Sequence, residues 1–250
     1  MDAASSTSPS HRIIRPYRPD DRPAIRAICA DTGFLGRPID PVFEDRELFA
    51  DYLTSYYTDA EPESTFVCEL DGEVKGYIMG SRFPKKKAAY ETRVLPGLVL
   101  RGLWRYITRP YNAASRRYVR WILTQARKEV PFTPPDMPHF HFNIRPEARS
   151  VSATRELVDI FLNYLVKCGE KSVYGQVVVY ESRRGNRMFE RYGFRLVDQR
   201  EVTKYRDLHS GKVYLFTLVK DLTLNSKLYG IDLHHAEEPD EAAPKKSDSA

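Results

Sequence analysis

Apolar and polar positions alternate, cluster and repeat along this chain in ways that predict most of its elements. Residues 11–17 (HRIIRPY) alternate as a short strand. Residues 20–33 open on Asp20 and Pro23, carry Ile25, Ile28 and Cys29 at helical spacing and stop at Gly33, which predicts a helix. Residues 44–59 put Leu48, Phe49, Tyr52, Leu53 and Tyr56 on one helical face. Residues 65–70 and 73–81 alternate around the pair Asp71-Gly72, a strong hairpin signal. Further on, 138–144 reads as a strand and 152–168 as a helix with Leu157, Phe161, Tyr164, Leu165 and Cys168 on its inner face. A strand at 172–180, a short helix at 183–193 stopped by Gly193, and a hairpin of 194–205 with 213–222 complete the series. Hairpins combined with one strand–helix–strand crossover predict an α+β fold on a mixed sheet.

The region between the first hairpin and the 138–144 strand has another character. From Arg82 to Val130 there are 13 Lys and Arg against 2 Asp and Glu, a local excess of 11 in a chain whose net charge is +5. Arg101, Arg105 and Arg109 repeat every four residues, opposite Leu95, Leu98, Val99, Leu103 and Ile107. Then Val119, Ile122, Leu123 and Ala126 share a face turned away from Arg116, Arg117, Arg120 and Arg127, with Pro110 between the two patterns. Two amphipathic helices are predicted, forming a basic insertion over about 83–136. Three uses compete: a helical cap with a solvated arginine face, a lid whose arginines attract phosphates or an acidic substrate, and a nucleic-acid or anionic-membrane surface. Trp104, Tyr106 and Trp121 among the arginines suit the last.

Composition adds limits. At 250 residues and 42% hydrophobic, the chain can bury a sizeable core in one domain, here 11–222, between polar tails at 1–10 and 223–250 that are expected to be disordered. Cys29, Cys68 and Cys168 have no metal spacing, and no metal is expected; the odd number predicts reduced thiols and a cytoplasmic protein. No run approaches the ~20 apolar residues of a membrane span.

Strand 139–144 (HFHFNI) carries the candidate chemistry. His139, His141 and Asn143 share one face and Phe140, Phe142 and Ile144 the other. His141 is the candidate general base, because a neutral imidazole near pH 7 suits proton abstraction; the alternative is a polar strand face without catalysis. Glu91 and Asp136 flank the insertion and read by default as solvated.

Four stretches, 13–29 (IIRPYRPDDRPAIRAIC), 66–81 (FVCELDGEVKGYIMGS), 144–158 (IRPEARSVSATRELV) and 188–197 (MFERYGFRLV), resemble, in this order, the GNAT superfamily of acyl-CoA-dependent N-acyltransferases. The resemblance implies that acetyl-CoA is co-substrate and an amine the acceptor. It implies that the backbone of Asn143, Ile144 and Arg145 pairs with the thioester. The pyrophosphate would lie on the helix start formed by Arg149, Ser150, Val151, Ser152, Ala153 and Thr154. The family loop reads Gln/Arg-x-x-Gly-x-Gly/Ala. Aligned on Arg149, Ser152 and Thr154 replace its two small residues; their hydroxyls are candidate phosphate donors, and the plain alternative is a helix cap on Ser150 or Ser152. Phe189 stands where relatives carry the tyrosine that protonates the thiolate, and Ser182 where they often carry Asn, with Asn186 one turn later. These departures keep two further readings in view: a catalytically impaired GNAT-fold protein that binds a ligand or partner, and a basic surface-binding module. The resemblance leaves the acceptor, the acyl chain and the oligomeric state open.

Overall fold

The computed structural model describes residues 11–109, 111–180 and 189–223. Among the described residues seven strands form one sheet: β1 (Arg12–Pro16), β2 (Thr65–Leu70), β3 (Glu73–Ser81), β4 (His139–Ile144), β5 (Ser172–Tyr180), β6 (Arg195–Glu201) and β7 (Val213–Asp221). Their order is β1-β2-β3-β4-β5-β7-β6, and among the described residues only the β4–β5 pair is parallel. The α+β reading and the mixed sheet are therefore correct. The helices are α1 (Arg22–Thr32), α2 (Arg46–Asp59), α3 (Pro84–Thr108), α4 (Ala113–Thr124), α5 (Ala126–Glu129) and α6 (Val151–Lys167). Among the described residues no helix is long and apolar enough to cross a membrane.

Strand alternation divides the core in two. Phe66, Ile78 and Phe140 face α6 and pack with Leu157, Phe161 and Leu165. Val67, Tyr77 and Met79 face the other way and pack with Ile25 and Ile28 of α1 and Tyr56 and Tyr57 of α2. α6 lies so close to β3 that a Cβ at Gly80 would come within 2.3 Å of the Phe161 ring, so only glycine fits. The Asp71-Gly72 turn takes φ of +52° and +84°, the doubly left-handed pair that suits a tight hairpin. The last hairpin differs from expectation. β6 ends at Glu201, and a 3-10 turn at Thr203–Tyr205 carries Tyr205 into the second core, 5.3 Å from the Phe34 ring. Of the predicted 183–193 helix, 183–188 lie outside the described residues; the visible end is helical to Arg191 and closes at Gly193 with φ of +75°.

The insertion is helical but inverted. Arg101 pairs with Asp51, and Arg105 with Asp45 at 2.5 Å, so the arginine row faces α2. Leu95, Val99, Leu103 and Ile107 face solvent, from 40% to 72% exposed. The solvated arginine face is thus corrected for these two residues: the surface beneath them is acidic, and an ion pair costs less there than a buried leucine facing Asp45 and Asp51. Arg109 alone of that row is exposed without an acidic partner among the described residues. In α4 the inner positions are Ser115, Tyr118, Val119 and Trp121, while Ile122 and Leu123 are 45% and 79% exposed.

Candidate active site

β4 and β5 pair only at His139–Tyr174 and Phe140–Gly175. Beyond that point β4 continues on β3 as far as Ile144, and β5 continues on β7 as far as Tyr180. The sheet therefore splits into a wedge about 13 Å deep along His141–Ile144. Among the described residues, peptide groups of β4 that point away from β3 have no strand partner there, a state that invites an extended ligand.

A cavity of about 390 Å³ lies against the top of this split. His139, Phe140 and His141 of β4 and Tyr174 and Gln176 of β5 line it from both sides of the seam. α2 supplies Asp51, Tyr52, Tyr56 and Tyr57, and α3 supplies Lys87, Tyr90, Glu91, Val94, Leu95 and Leu98. Glu91 therefore stands on the cavity wall in an ion pair with Lys87, not simply in solvent. Asp136 lines a separate surface depression beside Arg82 and Phe83. Asp51 is bound by Arg26 and Arg101.

The two histidines behave differently from expectation. Burial, followed by the charge of Lys87, pushes His141 down to about 4. Burial, then Lys87 and His141, pushes His139 to about 3. Both are neutral at pH 7, but His141 is a weaker base than a residue titrating near pH 7. Its Nε2 is shielded and has no hydrogen-bond partner among the described residues. His139 Nε2 lies 2.7 Å from the Tyr57 hydroxyl, and burial raises that phenol well above its usual range. With both groups neutral, the hydroxyl donates to the ring nitrogen. Asn143 shares this face and donates through Nδ2 to the Tyr77 hydroxyl at 2.8 Å.

At the far end of the wedge, the β4 terminus leads into α6. Ile144 is buried. Arg145 pairs with Asp31 at 2.5 Å. Arg149 donates to the carbonyls of Ile144 at 3.0 Å and Gly36 at 3.4 Å, leaving its charge unneutralised by any carboxylate among the described residues. Ser150 caps the helix, its hydroxyl accepting from the Ala153 N–H at 3.0 Å. The Thr154 hydroxyl donates to the Ser150 carbonyl at 3.0 Å, which removes it as a phosphate donor. Ala153 and Thr154 are buried, so the chain presents Val151 and Ser152 outward. The N–H groups of those two have no internal acceptor among the described residues, as expected of a first turn. Arg12 of β1 sits alongside, 3.1 Å from the Ser152 hydroxyl and bound to Glu156. Ser150→Ala is expected to lower stability by about 1 kcal/mol through loss of the cap, read as a lower thermal midpoint; no change would mean that Ser152 replaces it.

Phe189 is buried in the α6-side core, 6.3 Å from Phe142 and 5.7 Å from Phe194 between ring centroids. An apolar ring thus fills the position of the expected acid. Ser182 and Asn186 lie outside the described residues. Sequence reasoning missed Tyr57, Tyr90, Tyr174 and Gln176. Tyr174 and Gln176 alternate on β5 and could have been assigned to one face; Tyr57 and Tyr90 gave no signal. Among the described residues no cluster suited to a metal ion occurs.

No protein-family model matches the sequence, and no curated protein does. Solved structures do. The crystal structure of SsHAT aligns with a TM-score of 0.57 and 26% identity over 84% of this chain and 98% of that one. An N-acetyltransferase from Staphylococcus aureus Mu50 aligns at 0.49 and 14% identity over 85% and 99%. The putative acetyltransferase yncA from Salmonella typhimurium, with its cofactor acetyl-CoA, aligns at 0.47 and 14% identity over 88% and 99%. The chain has the α+β fold of the GNAT superfamily of acetyltransferases.

Proposed function

We propose that this protein transfers an acetyl group from acetyl-CoA directly to an amine held in the tyrosine-walled cavity. The observation that carries this reading is the position of the cavity on the seam where β4 and β5 part. An extended thioester in the wedge would pair with the peptide groups of His141–Asn143 that point away from β3, beyond which the Ile144 carbonyl already accepts from Arg149. Its phosphates would meet the open N–H groups of Val151 and Ser152 and the charge of Arg149. An ammonium entering the cavity meets the rings of Tyr57, Tyr90 and Tyr174 and the carboxylate of Glu91, groups that attract cations. After it loses a proton, the free amine can donate to the unpartnered His141 Nε2 and attack the carbonyl, whose developing charge the β4 N–H groups stabilise. Phe189 cannot protonate the thiolate, so that proton comes from water or from the amine, and turnover is slower than with a positioned acid. The free thiols of Cys29, Cys68 and Cys168 suit a cytoplasmic setting.

Val151 is 80% exposed at the first position of α6. Val151→Asp places an anion where the helix dipole favours one, so the melting temperature should hold or rise. The same anion repels a pyrophosphate, so calorimetric titration should show acetyl-CoA affinity reduced about tenfold or more. Unchanged affinity would remove the phosphates from this helix start. Acetyl-CoA binding without amine-dependent release of CoA thiol would favour the ligand-binding reading, and no binding by the wild-type protein would end the enzyme reading.

A further inference from the structure

The outward half of α3 holds Val99, Leu100, Leu103, Trp104 and Ile107, between 54% and 72% exposed, with Leu95 at its edge on the rim of the cavity. At 100° per residue they fill one continuous half of the helix, about 18 Å long. Solvent-facing apolar residues of this size and continuity mark a contact surface. No acidic residue stands on this half. Lys85 and Arg93 do, Arg109 follows the last turn, and Arg120 is exposed on α4; none of the four has an acidic partner among the described residues. The inner half is already committed, through Lys87, Arg101 and Arg105, to ion pairs with Glu91, Asp51 and Asp45.

We propose that this outward half of α3 docks on an anionic lipid bilayer. The occupant follows from combining the two properties. A second copy packed through the same face would bring Lys85 and Arg93 against their own likeness, with nothing acidic to answer them. A nucleic acid would answer the cations and leave the leucines in water. A bilayer answers both: anionic headgroups meet the arginines while leucine, isoleucine and tryptophan side chains enter the headgroup–acyl boundary. The same helix supplies Tyr90, Glu91 and Leu98 to the cavity from its inner side, so the bilayer would bear on the back of the cavity wall.

Vesicles of phosphatidylcholine with about 30 mol % phosphatidylglycerol provide the probe, at about 0.1 M salt. The full chain should co-sediment with them and partition at least about tenfold less onto pure phosphatidylcholine. Lys85→Gln with Arg93→Gln should weaken partition about 25-fold, from about fivefold for each cation. Leu100→Ser, Leu103→Ser and Ile107→Ser together should weaken it at least about tenfold, with melting temperature unchanged because all three are solvent-facing. Brominated lipid should quench a fluorescence component that Trp104→Phe removes, a substitution at a 67% exposed position that leaves packing intact. Equal partition onto neutral vesicles, no partition, or quenching unaffected by Trp104→Phe would each overturn the proposal. So would a dimer dissociated by Leu103→Ser, or binding to an oligonucleotide without binding to vesicles.

Discussion

Between pH 6.5 and pH 4.5 the folded state is expected to lose about 5 kcal/mol, chiefly through His139 and His141. Their folded pKa values are about 3 and about 4, with burial the main cause and Lys87 the next. In the unfolded chain each titrates near 6.5. The unfolded state therefore binds more protons throughout this window, and stability falls as pH falls, by about 1.4 kcal/mol per pH unit for each ring. The loss begins below pH 6.5 and stops only below the folded values. Asp21, Asp45 and Asp59 have folded values below the usual carboxylate range. Burial opposes that shift in each, and hydrogen bonds from arginine, backbone N–H or hydroxyl groups outweigh it. Their contribution is present above about pH 3.9 and fades only as pH drops through the folded values. The histidines are thus separable from the acids by pH alone. Urea unfolding followed by circular dichroism at pH 7, 5.5 and 4.5 measures the slope. The double variant His139→Gln with His141→Leu should abolish most of it. The glutamine amide can still accept from Tyr57, and the leucine replaces a ring nitrogen that has no partner to lose. A wild-type stability that is level over this range, or a slope that survives the double variant, would mean that both rings protonate in place.

The same pair shows how far the sequence could be read. That His139 and His141 share a face follows from a period of two, which a strand cannot escape. Their burial does not follow, because the walls that enclose them come from Tyr57, Tyr90 and Tyr174, remote in sequence and brought in by α2, α3 and β5. The Asp71-Gly72 turn, the α6 core face and the Gly193 stop were legible because each rests on local backbone chemistry. The α6 start was legible as a cap, and Ser150 fills that role. Which hydroxyls remained free for a phosphate depended on whether Thr154 turned inward, and helical phase alone did not decide that. The orientation of α3 was not legible. Both of its stripes have helical period, and periodicity states that two faces differ without stating which one meets the protein. Apolar stripes usually face inward, and here the acids on α2 reversed the choice.

Asp45→Ala tests that reversal where its effect should be large. Asp45 is 7% exposed in its side chain and serves three donors. It caps α2 through the Leu48 N–H at 3.0 Å, accepts from Arg105 at 2.5 Å and accepts from the Tyr111 hydroxyl at 2.6 Å. Removing the cap costs about 1 kcal/mol. Removing the acceptor strands the Tyr111 hydroxyl, whose ring is buried against Phe43, at about 1–3 kcal/mol. Arg105 is 22% exposed and can turn toward water, so its share falls below the 3–5 kcal/mol of a fully buried pair. The expected total is about 3 kcal/mol, read from urea midpoints at pH 7. Asp45→Asn keeps a carbonyl oxygen for the cap or for Tyr111 and should recover about half. The loss should also be local: α2 and α3 wall the cavity together, and Asp45 and Asp51 are the two acids that hold α3 in its inverted orientation. Hydrogen exchange should accelerate over 98–112 before it does in β2, β3 or α6. If protection falls uniformly instead, the pair acts as general ballast in the core. If Asp45→Ala costs less than about 1 kcal/mol, α3 is held by contacts other than its arginines, and its apolar face is outward for a different reason.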